Sequence, residues 1–346
     1  MRGPRLLVVG AGIHGLWVAW RFLCAGWCVT LAEAGCLPNR AGASWDQHRL
    51  IHPFGSTNEA DVGALEAAMR GWESLWSRLG RNHYRQSGGV LGSHIATHFT
   101  VLSAAGWPCE RITRDELSIL APGLRSHPDG GMLWTPNAGV LLADRIMGDL
   151  FRLTTELGCI FLPGRRIRED EVCEGRVQLG DGAWLEPDLI VVACGADSSQ
   201  AVPALAPRIA VVEQTMLYFT APRAWASAPI LIDFGPQDDL WMAPPVAGTM
   251  LKLAASGLAT AQGPVDLNAL SRRIDETFCT TGWRFMRRGH CRFDRTVNGA
   301  RIIEPVAGTN GKAWVIAGCN GSGFKFAPLV ADLIWRMMPG YSEAMA

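Results

Sequence analysis

Three glycines follow directly on the apolar run Arg5 to Val9, in the order Gly10-Ala11-Gly12-Ile13-His14-Gly15, and an acidic residue, Glu33, stands roughly twenty positions further on. This spacing suits phosphate chemistry. Gly10 permits the tight turn, Gly12 lets the backbone approach a pyrophosphate, and Gly15 allows a helix to pack closely on a strand, so that the helix N-terminus faces the phosphates. Glu33 is placed to accept hydrogen bonds from adenosine ribose hydroxyls and would repel a 2′-phosphate, which disfavours NADP. The pattern predicts a dinucleotide site and does not by itself separate NAD from FAD. Ile13 and His14 count among the cofactor-binding positions of the loop, His14 as a variable position with no catalytic role.

Other residues able to do chemistry are scattered. Lys325 lies in Gly321-Ser-Gly-Phe-Lys-Phe326, and Lys252 in Met250-Leu-Lys-Leu253. His48 with His52, and His94 with His98, have a spacing that lets a helix present both rings to zinc, but neither pair has a third ligand in a recognisable place, so no metal site is expected. Lys+Arg and Asp+Glu both number 32. With no basic field to hold nucleic acid or an anionic membrane, a small molecule is the expected partner. The ten cysteines show no paired spacing, which points to reduced thiols and a cytoplasmic location. The N-terminal stretch begins like a signal peptide, but its glycines fall at the offsets of the loop and no cleavage site is obvious. No apolar run approaches the roughly 18 residues of a membrane span.

The elements that must position these residues are readable in outline. Arg5 to Val9 predicts a buried parallel strand, Leu16 to Ala25 a helix ended by Gly26, and Cys28 to Ala32 a second strand closing with Glu33, which completes a βαβ unit. A helix is predicted from about Asn58 to Leu79, with Met69, Trp72, Leu75 and Trp76 at core spacing. YRQSGGVLG (84–92) predicts a strand with a glycine turn, Leu124 to Val140 loop and turn, and Ala143 to Leu157 a helix. VQLGDGAWLEPD is hairpin-like and precedes Leu189-Ile-Val-Val-Ala-Cys-Gly195, a buried strand ending in glycine. Residues 211–289 alternate short apolar runs with turns, as a mainly antiparallel sheet does. The last segment, from Ala313, reads as strand, glycine-rich loop and helix, the helix spanning Phe326 to Met337, and should rejoin the N-terminal domain.

At four places the chain resembles the D-amino-acid-oxidase superfamily of flavoproteins, and within it the monomeric sarcosine oxidase branch. These are the GAGIHG-to-Glu33 unit, the block SWDQHRLIHPFG, VVACGAD, and Cys291 to Phe326. The last is the most specific: the family pattern C-M-Y-T-x-T, I-I-D and G-x-G-F-K-F corresponds to Cys291-Arg-Phe-Asp-Arg-Thr296, Ile302-Ile303-Glu304 and Gly321-Ser-Gly-Phe-Lys-Phe326. The resemblance implies an α/β fold, a Rossmann-type FAD-binding domain (1–80, 142–210 and 290–346) with a second, mainly antiparallel-sheet substrate domain (81–141 and 211–289). It implies FAD as the cofactor, held by Gly10, Gly12, Ile13, His14, Gly15, Glu33, Ser44, Arg49, Gly195, Gly321, Gly323, Phe324 and Lys325. Cys291 matches the cysteine that this branch bonds to the flavin 8-methyl carbon, which implies covalent FAD; an ordinary buried thiol is the alternative reading. The helix start after Lys325 and the amides of Gly321 to Gly323 would stabilise a reduced flavin, and the matching family lysine also pairs with the substrate carboxylate. Lys252 matches a lysine that promotes the reaction with oxygen, by stabilising superoxide.

Two departures matter. The family reads R-x-x-R-H-x-Y-G where this chain has Asp46-Gln47-His48-Arg49-Leu50-Ile51-His52-Pro53-Phe54-Gly55, so that His52 or Ile51, depending on register, replaces the arginine that grips the substrate carboxylate. Arg49 is expected to stay near the flavin. The family histidine four residues beyond the lysine is Ser256. The expected activity is oxidation of a C–N bond in a small amine or amino acid, with hydride transfer to flavin N5, an imine product, and oxygen reduced to hydrogen peroxide. Lys252 and Lys325 are the expected catalytic residues, and His52 the first candidate for orienting the substrate. Two alternatives remain: a dehydrogenase of the same fold that passes electrons to a quinone or protein acceptor, and a flavin-binding protein without turnover. An effect of Lys252 confined to oxygen as acceptor separates out the first, and a flavin that no amine bleaches would favour the second.

Overall fold

The computed structural model describes residues 3–125, 131–180, 182–261 and 265–338. It divides into two compact units, one of Met1–Asp46, Asp144–Val212 and Arg292–Ala346, the other of Gln47–Ala143 and Glu213–Cys291. The architecture is mixed α/β, with both parallel and antiparallel sheets.

The first unit is organised by a six-stranded sheet. Arg5–Val9 lies in its middle, flanked by Cys28–Glu33 and Leu189–Val192 in parallel. Ile160–Pro163 extends it beyond Cys28–Glu33. Ala313–Ala317 pairs in parallel with Leu189–Val192, and Ile302–Pro305 adds an antiparallel edge. All four residues of Leu189–Val192 are buried, as expected of a parallel strand covered on both faces. Leu7, Val9, Ile190, Val192 and Val315 contribute to the core on one side of this sheet. Helix Ile13–Cys24 packs on helix Ala327–Arg336 through Phe22 against Trp335 (ring centroids 5.1 Å apart), with the Arg21 guanidinium 4.3 Å from the Trp335 ring centroid. That contact brings the segment leading into the last helix up to the glycine loop at the start of the first.

The second unit contains an eight-stranded sheet. Reading from one edge, Arg284–Thr296, Ile209–Thr220, Leu251–Ala255, Leu240–Ala243, Ile230–Phe234, Gly89–Leu91, Met132–Thr135 and Glu110–Ile112 follow one another. A three-stranded sheet places Gly139–Leu141 between Arg49–Ile51 and Tyr84–Gln86. Helix Glu59–Leu79 starts on Asn58, whose side chain accepts from the Asp61 amide at 3.0 Å, and stops at Gly80 with φ 64°. Trp72, Leu75 and Trp76 are buried and Met69 is half-buried.

The structure departs from the sequence expectations in two places and adds a helix within a third, the stretch expected to be a mainly antiparallel sheet. Leu124 to Val140 is not loop and turn throughout: Met132–Thr135 and Gly139–Leu141 are strands, while 126–130 lie outside the described residues. Their partners, Gly89–Leu91 and Arg49–Ile51, are some forty and ninety positions away, and such pairing overrides the local Gly and Pro signal. Within 211–289, Leu267–Thr277 is a helix, capped by Asp266, which accepts from the Ala269 amide at 3.0 Å. Finally, residues 47–80, expected with the first domain, fall in the second unit, because Arg49–Ile51 pairs there with Gly139–Leu141.

Candidate functional site

In the first unit the glycine loop is tied into the sheet. The Gly10 amide donates to Ala32 O at 2.8 Å, and the φ of Gly10 is 103°, which disfavours any side chain. A Cβ on Gly15 would lie 1.8 Å from Gly10 O, so the helix approaches the strand as closely as backbone allows. Glu33 closes the loop from below: its Oε2 accepts from the Ala11 amide at 2.9 Å, and its Oε1 from the Gly35 amide (2.9 Å) and Asn39 Nδ2 (3.1 Å). A carboxylate offers about four acceptor positions, so Oε2 keeps capacity for a hydroxyl donor. Ser44 Oγ accepts from the Ile13 amide at 2.9 Å and would stand 3.2 Å from a Cβ on Gly12. Helix Ile13–Cys24 has no acidic residue in its first turn and no side-chain cap at Gly12, so its positive end is left for an anion. Gly195, with φ 57°, follows Ala193 and Cys194, whose backbone abuts Gly10.

The GSGFKF segment meets this loop at His14. A Cβ on Gly323 would be 2.9 Å from His14 Nε2, so only glycine fits there. Gly321 has φ 75°, and Phe324–Phe326 forms a 3-10 turn running into the last helix. Lys325 is buried in that turn, its Nζ 5.4 Å from the Phe326 ring centroid; Arg301 stands 4.7 Å from the same centroid. Burial, then the Arg301 charge, pulls the Lys325 pKa down to about 8. Burial likewise holds His14 down to about 3, helped by Arg301 and opposed by Asp294, so the ring is neutral at physiological pH. Among the described residues, neither ring nitrogen of His14 and not Nε of Arg301 has a hydrogen-bond partner, although all three atoms are shielded from solvent. Such atoms call for acceptors or donors from a bound group.

Sequence reasoning missed Asp294, Asn320 and Arg301 in this cluster. Asp294 is fully buried and its carboxylate accepts from the Gly318 amide and, at 3.0 Å, from the Cys319 amide. Asn320, at φ 50°, accepts from the Thr296 amide through Oδ1 at 2.9 Å. Asp294 and Asn320 together hold the turn that launches Gly321 to Lys325. An aspartate in place of the threonine of the family pattern C-M-Y-T was the available signal. Arg301 had none.

The second unit holds Arg49, Lys252, Cys291 and His52. Gln47 and His48 clamp the strand of Lys252: Gln47 Nε2 donates to Met250 O at 2.8 Å, Gln47 Oε1 accepts from the Met250 amide at 3.0 Å, and His48 Nε2 lies 3.2 Å from Met250 O. Lys252 is 1% exposed, so its side chain lies inside the unit and not in solvent. Its Nζ donates to His48 O at 2.7 Å, and Arg49 donates to the same oxygen at 3.0 Å. The pairings Tyr218 with Lys252 and Trp241 with Ala254 put these side chains on one sheet face, opposite the core face of Leu217, Met242 and Leu253. Cys291 is half-buried and packs with Met216, Tyr218, Trp241, Met250 and Ala254 on the Lys252 face. The His52 ring lies against Phe54, centroids 5.6 Å apart. Among the described residues, no three His, Cys, Asp or Glu side chains are grouped to hold a metal ion, and no helix is long and apolar enough to cross a membrane.

Residues 5–337 match the profile of a family described as FAD dependent oxidoreductase. The chain is 23% identical to N-methyl-L-tryptophan oxidase of Salmonella agona over 95% of its own length and 92% of that protein. It is 21% identical to monomeric sarcosine oxidase of a Bacillus species, over 96% and 91% of the two chains. Fructosamine oxidase from Aspergillus fumigatus has a similar fold, with a TM-score of 0.77 at 18% identity, covering 99% of this chain and 87% of that one.

Proposed function

The chain belongs to the FAD dependent oxidoreductase family, and from that premise we propose that it oxidises a C–N bond in a small amine or amino acid, with oxygen as the acceptor. The observation that carries the cofactor half of this reading is the meeting of the GSGFKF segment with the glycine loop at His14 and Gly323. The amine half is supported by the relatives, two of which are named as oxidases of N-methylated amino acids and resemble this chain along nearly its whole length.

Gly10, Gly12 and Gly15 admit the pyrophosphate, the start of helix Ile13–Cys24 opposes its charge, and Glu33 Oε2 takes a ribose hydroxyl. FAD, when bound, supplies the two-electron acceptor for the hydride leaving the carbon next to nitrogen, and passes the electrons on to oxygen, so that an imine and hydrogen peroxide result. Lys325 and Arg301 supply positive charge in a dry setting, where it stabilises developing negative charge far better than in water. With a pKa near 8, Lys325 is charged at neutral pH and loses its proton in mild alkali. Lys252, fixed through His48 O, offers a buried ammonium to the superoxide-like charge that forms as oxygen is reduced. The amine binds in its neutral form, so the chain need provide no dedicated base.

We assign Cys291 as the attachment point of the flavin. Acid precipitation tests this: yellow flavin should stay with the wild-type pellet and leave with Cys291→Ala. Flavin that leaves the wild type freely ends the covalent assignment while leaving FAD binding intact. Purified protein that carries NAD in place of a flavin would end the whole reading. An anaerobic screen in which some amine bleaches the flavin then decides between an oxidoreductase and a flavin-binding protein without turnover.

A further inference from the structure

The eight-stranded sheet ends on one side at Arg284–Thr296, and as the edge strand this segment has a sheet neighbour on one side only. The backbone N–H and C=O groups that alternate toward the other side lie outside the ladder, where a further extended chain can add to them. The first half of the strand also differs in composition from the rest of the molecule. No acidic residue occurs from Thr277 to Phe293, although the chain as a whole has no formal net charge, and Arg284, Arg287, Arg288 and Arg292 fall in that interval. Arg284 and Arg288 are exposed and, among the described residues, have no ion-pair partner. Further along, His290 is answered by an acid, its Nε2 lying 3.1 Å from Glu213 Oε2. That leaves Arg284 and Arg288 as the open charges of the segment.

Between these two arginines, two apolar side chains stand in water, Phe285 at 56% and Met286 at 42% exposure. Charge alone serves to keep an edge strand from pairing with other copies, but an exposed aromatic ring and thioether beside it work against that purpose. Arginine, methionine and aromatic residues are the types enriched where one protein meets another. We propose that the edge segment 284–290 docks an acidic, extended segment of a partner protein, which adds to the sheet as a ninth strand. Alternation puts Arg284, Met286 and Arg288 on one face, with the two arginines about 13 Å apart along the strand. The segment that fits carries carboxylates four residues apart with an apolar residue between them, and a further apolar side chain on its other face toward Phe285. A second copy of this chain fits badly, because antiparallel pairing about Met286 sets Arg284 against Arg288. A nucleic acid would answer the arginines without completing the ladder. The inference is independent of the proposed amine oxidation.

The test uses the full-length, flavin-loaded protein and a fluorescein-labelled peptide, Ser-Glu-Ile-Val-Thr-Glu-Ser-amide, followed by fluorescence anisotropy. The peptide should bind at least about tenfold more tightly than its counterpart with both glutamates replaced by lysine, and the affinity should fall as salt is raised. Methylating alternate peptide nitrogens removes the donors of the ladder and keeps the side chains, and should weaken binding by about tenfold or more. The double variant Arg284→Gln, Arg288→Gln should lose the preference for the acidic peptide, with circular dichroism and flavin content unaltered. Should that variant misfold, Arg288→Gln alone carries the test, with a loss of about threefold expected. Equal binding of the acidic and basic peptides by wild type, or binding indifferent to N-methylation, overturns the proposal. A single-stranded oligonucleotide that binds more tightly than the peptide and displaces it does the same. So does a wild-type dimer in sedimentation that the arginine variants dissolve, since a second copy would then be the occupant.

Discussion

Replacing His14 with methionine, which is of similar size and does not titrate, should make the protein more tolerant of mild acid. The His14 pKa falls from 6.5 in the unfolded chain to about 3 in the folded one, first through burial and then through the Arg301 charge. Above pH 6.5 neither state is protonated and the shift has no effect on stability. Below it the unfolded chain takes up a proton that the native ring refuses, so native stability falls by roughly 1.4 kcal/mol per pH unit until about pH 3. At pH 5 the loss amounts to about 2 kcal/mol, a fall in melting temperature of roughly 3 °C for a chain of this length. The helix N-terminus at Ile13 adds to the penalty on a charged ring. Thermal unfolding of both proteins by circular dichroism at pH 7.5 and pH 5.0 gives the comparison. The drop between the two conditions should be smaller in His14→Met by that amount, whatever the absolute stability of the variant at pH 7.5. Equal drops would refute the argument, since they would mean that the ring titrates alike in folded and unfolded chains.

Gly15→Ala should destabilise by roughly 2–3 kcal/mol in urea titration and release flavin, because the added Cβ would sit 1.8 Å from Gly10 O, and backbone must move to admit it. Asp294→Asn should cost about 1–3 kcal/mol by the same assay, since an amide group turned into the Gly318 and Cys319 amides leaves a buried donor without an acceptor; an unchanged midpoint would show the turn to be held by Asn320 alone. Lys252→Met should slow reoxidation of the reduced enzyme by oxygen on the order of 100-fold in stopped-flow absorbance, with a redox dye as acceptor little affected. An equal loss with both acceptors would point to a packing defect around His48 O instead of lost charge.

What the sequence discloses depends on how local the physics is. The glycine loop, its helix and Glu33 fall within thirty residues, and each residue type answers a steric or charge requirement set by its immediate neighbours, so the whole unit is legible in residue types and their spacing. The strands Met132–Thr135 and Gly139–Leu141 are invisible by the same reasoning, because each consists of three or four residues beside Gly and Pro and gains its stability from partners far along the chain. Lys252 is an intermediate case. Alternation along Leu251–Ala255 fixes which residues share a face, but it does not say whether the lysine's face meets water. That is decided by Gln47 and His48, about two hundred positions earlier, which bind the backbone of Met250 and supply the carbonyl that takes the Lys252 ammonium.

Arg301 marks the limit of such reading. In the sequence it is one more basic residue ahead of a short strand; in the fold it lies beside the Phe326 ring and lowers the proton affinity of both His14 and Lys325. No spacing rule links positions 14, 301 and 325, since they come together only when the first and last helices pack through Phe22, Arg21 and Trp335. Three basic side chains gathered in one buried place repel one another, and the repulsion is eased by keeping His14 neutral and loosening the proton of Lys325. Asp294 offsets it only in part, because its oxygens already serve the Gly318 and Cys319 amides. The cluster is therefore more stable with an anion beside it. That excess of positive charge belongs to the cluster as a whole rather than to any single residue.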